Sequence, residues 1–192
     1  MWSQTTIPGE PRLLIVDGSG NVQGWESEFC DRIWNVLTRK GFRLVGEGPM
    51  RARNPEDLAE PWRDQDSFNC IFLACHGKAT QAGPTGLVAY WDWLSNQQGL
   101  DPKLLAVCTW EDHDAETSES ILASEDNVAS LAIAPQSPLS PRAAGLFYMK
   151  FFTELGDHSS DSINGRMVWF SCTKARELLR RRRLPGQIGM RC

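Results

Sequence analysis

Three residues of this sequence are placed to take part in chemistry, because each one ends or directly follows an apolar run: Asp17, His76 and Cys108. Such runs are typical of buried strands, and in an open parallel sheet a site lies beyond the carboxyl ends of the strands. If the runs before His76 and up to Cys108 form neighbouring strands, those strands lie about 4.8 Å apart. A thiol needs a nearby base to form a thiolate near neutral pH, and imidazole is its usual partner. The pair is therefore compatible with nucleophilic catalysis by a thiol.

Two backbone N–H groups at the same place, those of Gly77 and Cys108, could stabilise an oxyanion. Gly77 has no side chain, so a substrate carbonyl could approach the backbone closely. The same residues also have an interpretation without chemistry. A cysteine that ends a strand is commonly a small buried residue, and His-Gly after a strand is commonly a turn.

The other candidate residues are weaker. His113 could be a rival base, although a surface histidine is the simpler interpretation. Cys75 precedes His76, and alternation along a strand directs it to the opposite face, so we expect it in the core. Three scattered histidines make no ligand cluster, which predicts no metal. The Gly18-Ser19-Gly20 turn lacks the Walker lysine and the full dinucleotide fingerprint, so no phosphate-bearing cofactor is expected.

The elements that would position these residues alternate between strand and helix along the whole chain. A small hairpin strand is expected at Leu87–Tyr90, a flexible loop at 156–165, and Met167–Cys172 could be a sixth strand instead of helix. The pattern predicts a doubly wound α/β fold. The whole chain, 1–192, is expected to form one domain, of which residues 1–11 are a loose N-terminal leader. The main strands are predicted at 12–17, 42–45, 70–75, 104–108 and 128–134, and helices at 25–40, 55–63, 91–98, around 121–122, 140–155 and 166–183.

Net charge and cysteine content indicate which classes of partner and which cellular compartment are expected. A formal net charge of −4 does not suggest a nucleic acid or an anionic membrane as a partner. No apolar run approaches the roughly 18 residues that a membrane span needs. The six cysteines include no CxxC pair and no secretory signal is recognised, which predicts reduced thiols in a cytoplasmic protein. The run Arg180–Arg183 is interpreted as the end of the last helix, with an interaction tail as the alternative.

The order of motifs resembles the CHAT domains, which are relatives of caspases, separases and gingipains. Residues 68–77 resemble the family's hydrophobic strand followed by His-Gly, and 104–108 resemble its nucleophile strand. The loop at 83–89 lies between them, as in the family. Downstream, 129–134 and 140–155 resemble the next strand and a helix with Ala-Ala and Phe-Tyr elements. The resemblance extends from about residue 12 to about residue 180.

The resemblance implies a caspase-like three-layer sandwich with a mostly parallel sheet of about six strands. It also implies a cysteine endopeptidase without a cofactor, in which His76 is the acid and base and Cys108 forms the acyl-enzyme. The family places an acidic residue directly after the cysteine and a glycine soon after, whereas Thr109-Trp110-Glu111-Asp112 follows here. CHAT domains often follow helical repeats that sense a trigger, and no such repeat is recognised in this sequence, so we expect any sensor or activator to be a separate protein. The alternatives are an inactive caspase-like scaffold and a flavodoxin-like binding domain.

Acidic residues near the expected site suggest which peptides it prefers. Asp17 ends the first strand, and Glu111 and Asp112 follow the nucleophile. The resemblance implies that the loop after this strand helps to line the pocket for the side chain on the acyl side of the cleaved bond. A carboxylate pairs well with arginine or lysine, so a basic residue is expected at that position. The alternative is that Asp17 caps the turn that follows it.

Overall fold

The computed structural model describes residues 12–19, 25–59, 68–77, 86–97, 104–109, 114–123, 129, 131–158 and 163–191. Within these residues the chain alternates between strands and helices. The strands are β1 (Arg12–Gly18), β2 (Arg43–Leu44), β3 (Met50–Arg51), β4 (Cys70–Cys75), β5 (Leu104–Cys108), β6 (Leu131–Pro135) and β7 (Ile188–Arg191). The helices are α1 (Trp25–Arg39), a 3-10 helix (Pro55–Leu58), α2 (Leu87–Ser95), α3 (Ala115–Ala123), α4 (Pro141–His158) and α5 (Gly165–Arg181).

One sheet connects all seven described strands in the order β2-β1-β4-β5-β6-β7, and β3 also pairs with β1. Every pairing is parallel except that of β7, which runs antiparallel to β6. The chain first adds β2 on one side of β1 and later adds β4 on the other side. The strand order therefore reverses between β1 and β4, and in open α/β sheets the crevice for a ligand lies at such a reversal, beyond the carboxyl ends of the strands.

Helices cover both faces of the sheet, which makes the architecture a three-layer α/β sandwich. Helices α1, α4 and α5 pack on one face, where alternate residues of the strands such as Phe72 and Cys108 join their core. Helices α2 and α3 and the 3-10 helix pack on the other face, against residues such as Leu73 and Val107. Strands β4 and β5 are buried at every position because both of their faces are covered. The predicted fold class is thereby confirmed.

Aromatic side chains fill the core under β4 and fix the position of α4. Phe72 lies 5.1 Å from Tyr148 and 5.2 Å from Phe152 between ring centroids. Phe29 of α1 meets the same Phe72 edge-on at 6.1 Å. Rings in tilted or edge-to-face contact add attraction beyond their burial. This packing holds α1 and α4 against the strand that leads to His76.

Several local predictions are corrected. Leu87–Tyr90 is not a hairpin strand but the start of α2, because Leu87, Tyr90 and Leu94 repeat with helical spacing and are buried together. The segment Met167–Cys172 lies within α5, so the alternative of a strand there is wrong. Helix α4 continues to His158, through the beginning of the expected loop at 156–165, and α5 begins at Gly165. Residues 159–162 lie outside the described part, as does the leader at 1–11.

Candidate functional site

The register of the sheet aligns three residues at its carboxyl edge. Asp17 of β1 is paired with Ala74 of β4, and Ala74 is paired with Cys108 of β5. Paired residues of parallel strands point to the same face, and these three point toward α1, α4 and α5, where Ala74 and Cys108 belong to one core. The expectation that the strands leading to His76 and ending at Cys108 are neighbours is therefore confirmed.

His76 extends β4 beyond this row and is half-buried. It forms a parallel bridge with Gly86, and its carbonyl accepts a hydrogen bond from the N–H of Leu87 at 2.8 Å. His76 is two residues beyond Ala74, so alternation places it on the same face as Cys108. With about 3.3 Å per residue and 4.8 Å between strands, the Cα atoms of His76 and Cys108 lie about 8 Å apart. Two side chains that rise from such positions are within reach of one substrate.

Cys108 itself is completely buried. Burial raises the pKa of its thiol well above the ordinary value, and the nearby thiols of Cys30 and Cys75 raise it further. The phenol of Tyr148 donates a hydrogen bond to the carbonyl of Val107, directly before Cys108, and its own pKa is also raised by burial. In this arrangement Cys108 is a neutral thiol, which is a poor nucleophile.

Gly77, which the sequence places beside the oxyanion, is buried next to His76. Its carbonyl accepts a longer hydrogen bond of 3.3 Å from the N–H of Leu87. The start of α2 is thus attached to both residues of the His-Gly pair. On the other side of the site, Thr109 is buried directly after Cys108, and its hydroxyl has no hydrogen-bond partner among the described residues. A role of the Gly77 and Cys108 N–H groups as oxyanion donors stays a prediction.

Asp17 is held by groups of its own chain. Its carboxylate is 2% exposed and accepts hydrogen bonds from the Ser19 N–H at 3.1 Å, the Ser19 hydroxyl at 2.6 Å and the Ser27 hydroxyl at 2.6 Å. Arg51 forms an ion pair with it and reaches Asp31 with its other nitrogen, at 2.7 Å. The alternative interpretation, in which Asp17 caps its turn, is confirmed by the Ser19 bonds. Asp17 is not free to bind a substrate cation while Arg51 neutralises it.

The remaining candidates do not enlarge the site. Glu111, Asp112 and His113 lie outside the described residues, so their positions stay predictions. Three or more metal-ligating side chains cluster nowhere in the described part of the chain. Ser19, from the turn that lacks the Walker lysine, donates a hydrogen bond to the Asp17 carboxylate, whose charge would repel a phosphate. Sequence reasoning missed Arg51, because it lies on a strand of only two residues that has no periodicity.

Two surface clefts formed by described residues lie away from His76 and Cys108. One, of about 430 Å³, runs between α1 and α4 past Phe29 and Met149. The other, of about 420 Å³, lies between the end of α5 and β7. Neither is lined by His76 or Cys108. No helix within the described ranges has the length and hydrophobicity needed to cross a membrane.

Comparison with other proteins adds no family to this description. The chain matches none of the protein-family models and none of the curated proteins with which it was compared. The geometry of His76 and Cys108 is therefore the main indication of a function.

Proposed function

We propose that this protein is a cysteine endopeptidase that uses Cys108 as nucleophile and His76 as general base and acid. One observation carries the proposal: Cys108 ends β5 and His76 directly follows β4, and these adjacent parallel strands direct both residues to the same edge and the same face. In doubly wound sheets that edge is where sites are built. The motif order that resembles CHAT domains supports the same assignment.

The proposed reaction follows the usual course of thiol acyl transfer. His76 takes the proton of Cys108, and the sulfur attacks the carbonyl carbon of the scissile peptide. The N–H groups of Gly77 and Cys108 stabilise the oxyanion that forms. His76 then gives the proton to the leaving amine as the C–N bond breaks, which leaves a thioester. Water, deprotonated by His76, hydrolyses the thioester and releases the carboxylic acid and the thiol.

Because Cys108 is buried, the proposed peptidase needs an activation step that exposes this residue. A completely buried thiol with a raised pKa supplies little thiolate at neutral pH and offers its sulfur to no substrate. We therefore propose that the described state is a resting state, and that a separate sensor or activator protein exposes Cys108. The substrate is a protein. The proposed compartment is the reducing cytoplasm, which keeps this cysteine as a free thiol.

The same burial favours a second function, that of a caspase-like scaffold without activity. In that case Cys108 is a small core residue, and its contacts with the helices of its face stabilise the fold. Both functions share one architecture but differ in whether the sulfur ever becomes reactive.

Covalent labelling distinguishes the two functions. The protein is treated with a peptide acyloxymethyl ketone, alone and in cell extract that contains an activator, and the labelled cysteine is located by mass spectrometry. We expect the label on Cys108, and its loss in both Cys108→Ala and His76→Ala. Cys75→Ala is the matched control, because Cys75 is the neighbouring buried thiol on the opposite face. Labelling of Cys108 that is unchanged in His76→Ala would refute the peptidase and favour the scaffold. The complete absence of label from folded protein, with and without cell extract, would do the same.

A further inference from the structure

A cleft that the proposed peptidase does not explain lies beside the last strand of the sheet, between the end of α5 and β7. Its volume is about 420 Å³, and Arg176, Arg180, Gln136 and Gln187 are among the described residues that line it. No acidic residue is among the lining residues that the structure describes. We propose that this cleft, which we name the arginine cleft, binds an acidic peptide segment of a partner protein.

The charges around the arginine cleft are unusual for this chain. Its net charge is −4, yet residues 165–191 contain eight arginines and lysines and a single glutamate, Glu177. That glutamate is 3.7 Å from Lys174, which partly neutralises it. No carboxylate of the described residues pairs with Arg180. Cations do suit the end of a helix, because its last carbonyls carry partial negative charge. The concentration of positive charge nevertheless gives an anionic ligand a strong local attraction.

Arg176 is fixed in position by the edge of the sheet. The carbonyl of Gln187 accepts the N–H of Gln136 and so points toward β6. Successive carbonyls of a strand point to opposite sides, so that of Ile188 points away from β6, and Arg176 donates a hydrogen bond to it. A guanidinium has five N–H donors, and this bond uses one of them. Because this hydrogen bond already holds the guanidinium, less side-chain entropy is lost on ligand binding than with an unrestrained arginine.

Arg180 lies one helical turn after Arg176 and is exposed. Residues four apart on a helix are neighbours on one side, so both guanidinium groups can reach one extended segment. Arginine binds carboxylates through two parallel hydrogen bonds, which gives direction as well as charge. Two carboxylates of a peptide therefore match the spacing better than a single small anion does.

Three features favour a peptide over a nucleic acid. The described residues that line the cleft include no aromatic side chain on which a base could stack. Leu179, Leu184 and Ile188 supply apolar contacts, and the two glutamines supply donors and acceptors for peptide groups. The rest of the chain is acidic, so a long polyanion would be repelled outside the cleft whereas a short segment would not.

The arginine cleft is separate from the proposed peptidase site but opens at the same sheet edge. Continuing the register of β5 and β6 places Pro135 beside Cys108, and Gln136 of the cleft follows Pro135. A bound segment would thus lie about one strand from Cys108. Binding can be measured directly, so the inference does not depend on whether the protein is a peptidase.

The test measures binding of a fluorescent peptide of about ten residues, rich in glutamate and leucine, to the full chain by anisotropy. We expect Arg180→Gln to weaken binding about three- to tenfold, and Arg180→Lys, which keeps the charge but loses the paired hydrogen bonds, to weaken it less but measurably. Arg166→Gln is the matched control, because it removes the same charge from the exposed first turn of α5, far from the cleft. Circular dichroism confirms that each variant is folded.

Specific outcomes overturn the inference. One is an equal loss of binding in Arg166→Gln, which would indicate attraction by net charge alone. Another is equal binding of a peptide in which lysine replaces glutamate. A third is tighter binding of a single-stranded oligonucleotide of the same charge, which would assign the cleft to nucleic acid. Should Arg180→Gln fail to fold, Arg180→Lys together with the salt dependence of wild-type binding decides the question, and affinity that is unchanged by salt counts against the inference.

Discussion

The raised pKa of Cys108 predicts how the free energy of unfolding depends on pH, which can be measured without any substrate. Burial raises the pKa of this thiol well above its ordinary value of 9.0. In the unfolded chain the thiol returns to that ordinary value. Below about pH 8 both states hold the proton, so this residue adds no pH dependence. Above pH 9 only the unfolded state releases the proton, and unfolding becomes easier.

The magnitude follows from proton linkage. The free energy of unfolding falls by about 1.4 kcal/mol per pH unit for each thiol that ionises only on unfolding. Cys70 is also completely buried and its pKa is raised by burial, so it adds a second proton. Replacement of Cys108 by alanine should remove one of these contributions. Between pH 9.5 and 10.5 the slope for Cys108→Ala should therefore be shallower than that of wild type by about 1.4 kcal/mol per unit.

Urea denaturation at a series of pH values, followed by circular dichroism, measures these slopes. Val107→Ala is the matched control, since it removes apolar volume from the same strand on the opposite face and carries no ionisable group. It should lower the stability at every pH with an unchanged slope. If Cys108→Ala also leaves the slope unchanged, the thiol ionises equally in both states and the buried, neutral resting state proposed for it is wrong.

Three further predictions concern the scaffold around the site, each measured as a free energy of unfolding in urea. Gly18→Ala should cost about 1–3 kcal/mol, because a Cβ would lie 2.9 Å from the Tyr90 ring, and a neutral result would mean that the ring moves freely. Arg51→Met should cost about 2–3 kcal/mol by leaving the buried Asp17 carboxylate without a cation, and wild-type stability would show that the serine hydroxyls suffice. Tyr148→Phe should cost about 1–3 kcal/mol, since a buried carbonyl of β5 loses its donor, unless a water replaces the hydroxyl.

The central part of the fold could be predicted because its signal is local. Strands β1, β4, β5 and β6 are apolar at nearly every position, since helices cover both faces, and such runs stand out in a sequence. The two strands that were missed lack that signal. Strand β3 has only two residues, and β7 reads Ile-Gly-Met-Arg after a proline and a glycine. Their pairing is decided by contacts with distant strands, which no local pattern contains.

The start of α2 shows where the periodicity itself is ambiguous. The residues Leu87, Val88, Ala89 and Tyr90 form a short apolar run that suits a strand or a helix equally. Packing decides between them, because a helix buries Leu87, Tyr90 and Leu94 against one face of the sheet and leaves Val88 at 45% exposure. A strand would have buried alternate residues instead.

The positions of the site residues were predictable, but their environments were not. The ends of apolar runs identified Asp17, His76 and Cys108 as residues at one sheet edge, and the register confirms that placement for their strands. The ion-pair partner of Asp17 is Arg51, which lies 34 residues later in the chain. It reaches Asp17 through a strand pairing that no sequence pattern predicts. The complete burial of Cys108 depends on helices that cover its face, so only the structure distinguishes a buried thiol from an exposed one.

Burial of the proposed nucleophile also constrains any activator. If an activator exposes Cys108 and lowers its pKa, then its binding releases a proton wherever the pH lies between the lowered and the resting pKa. Linkage is reciprocal, so the activator must then bind more tightly as the pH rises, by up to tenfold per pH unit within that range. An activator that only presents substrates to an already reactive thiol would show no such dependence on Cys108. Comparing the pH dependence of activator binding in wild type and in Cys108→Ala therefore separates exposure of the nucleophile from simple recruitment, because only exposure requires the alanine variant to lose the dependence.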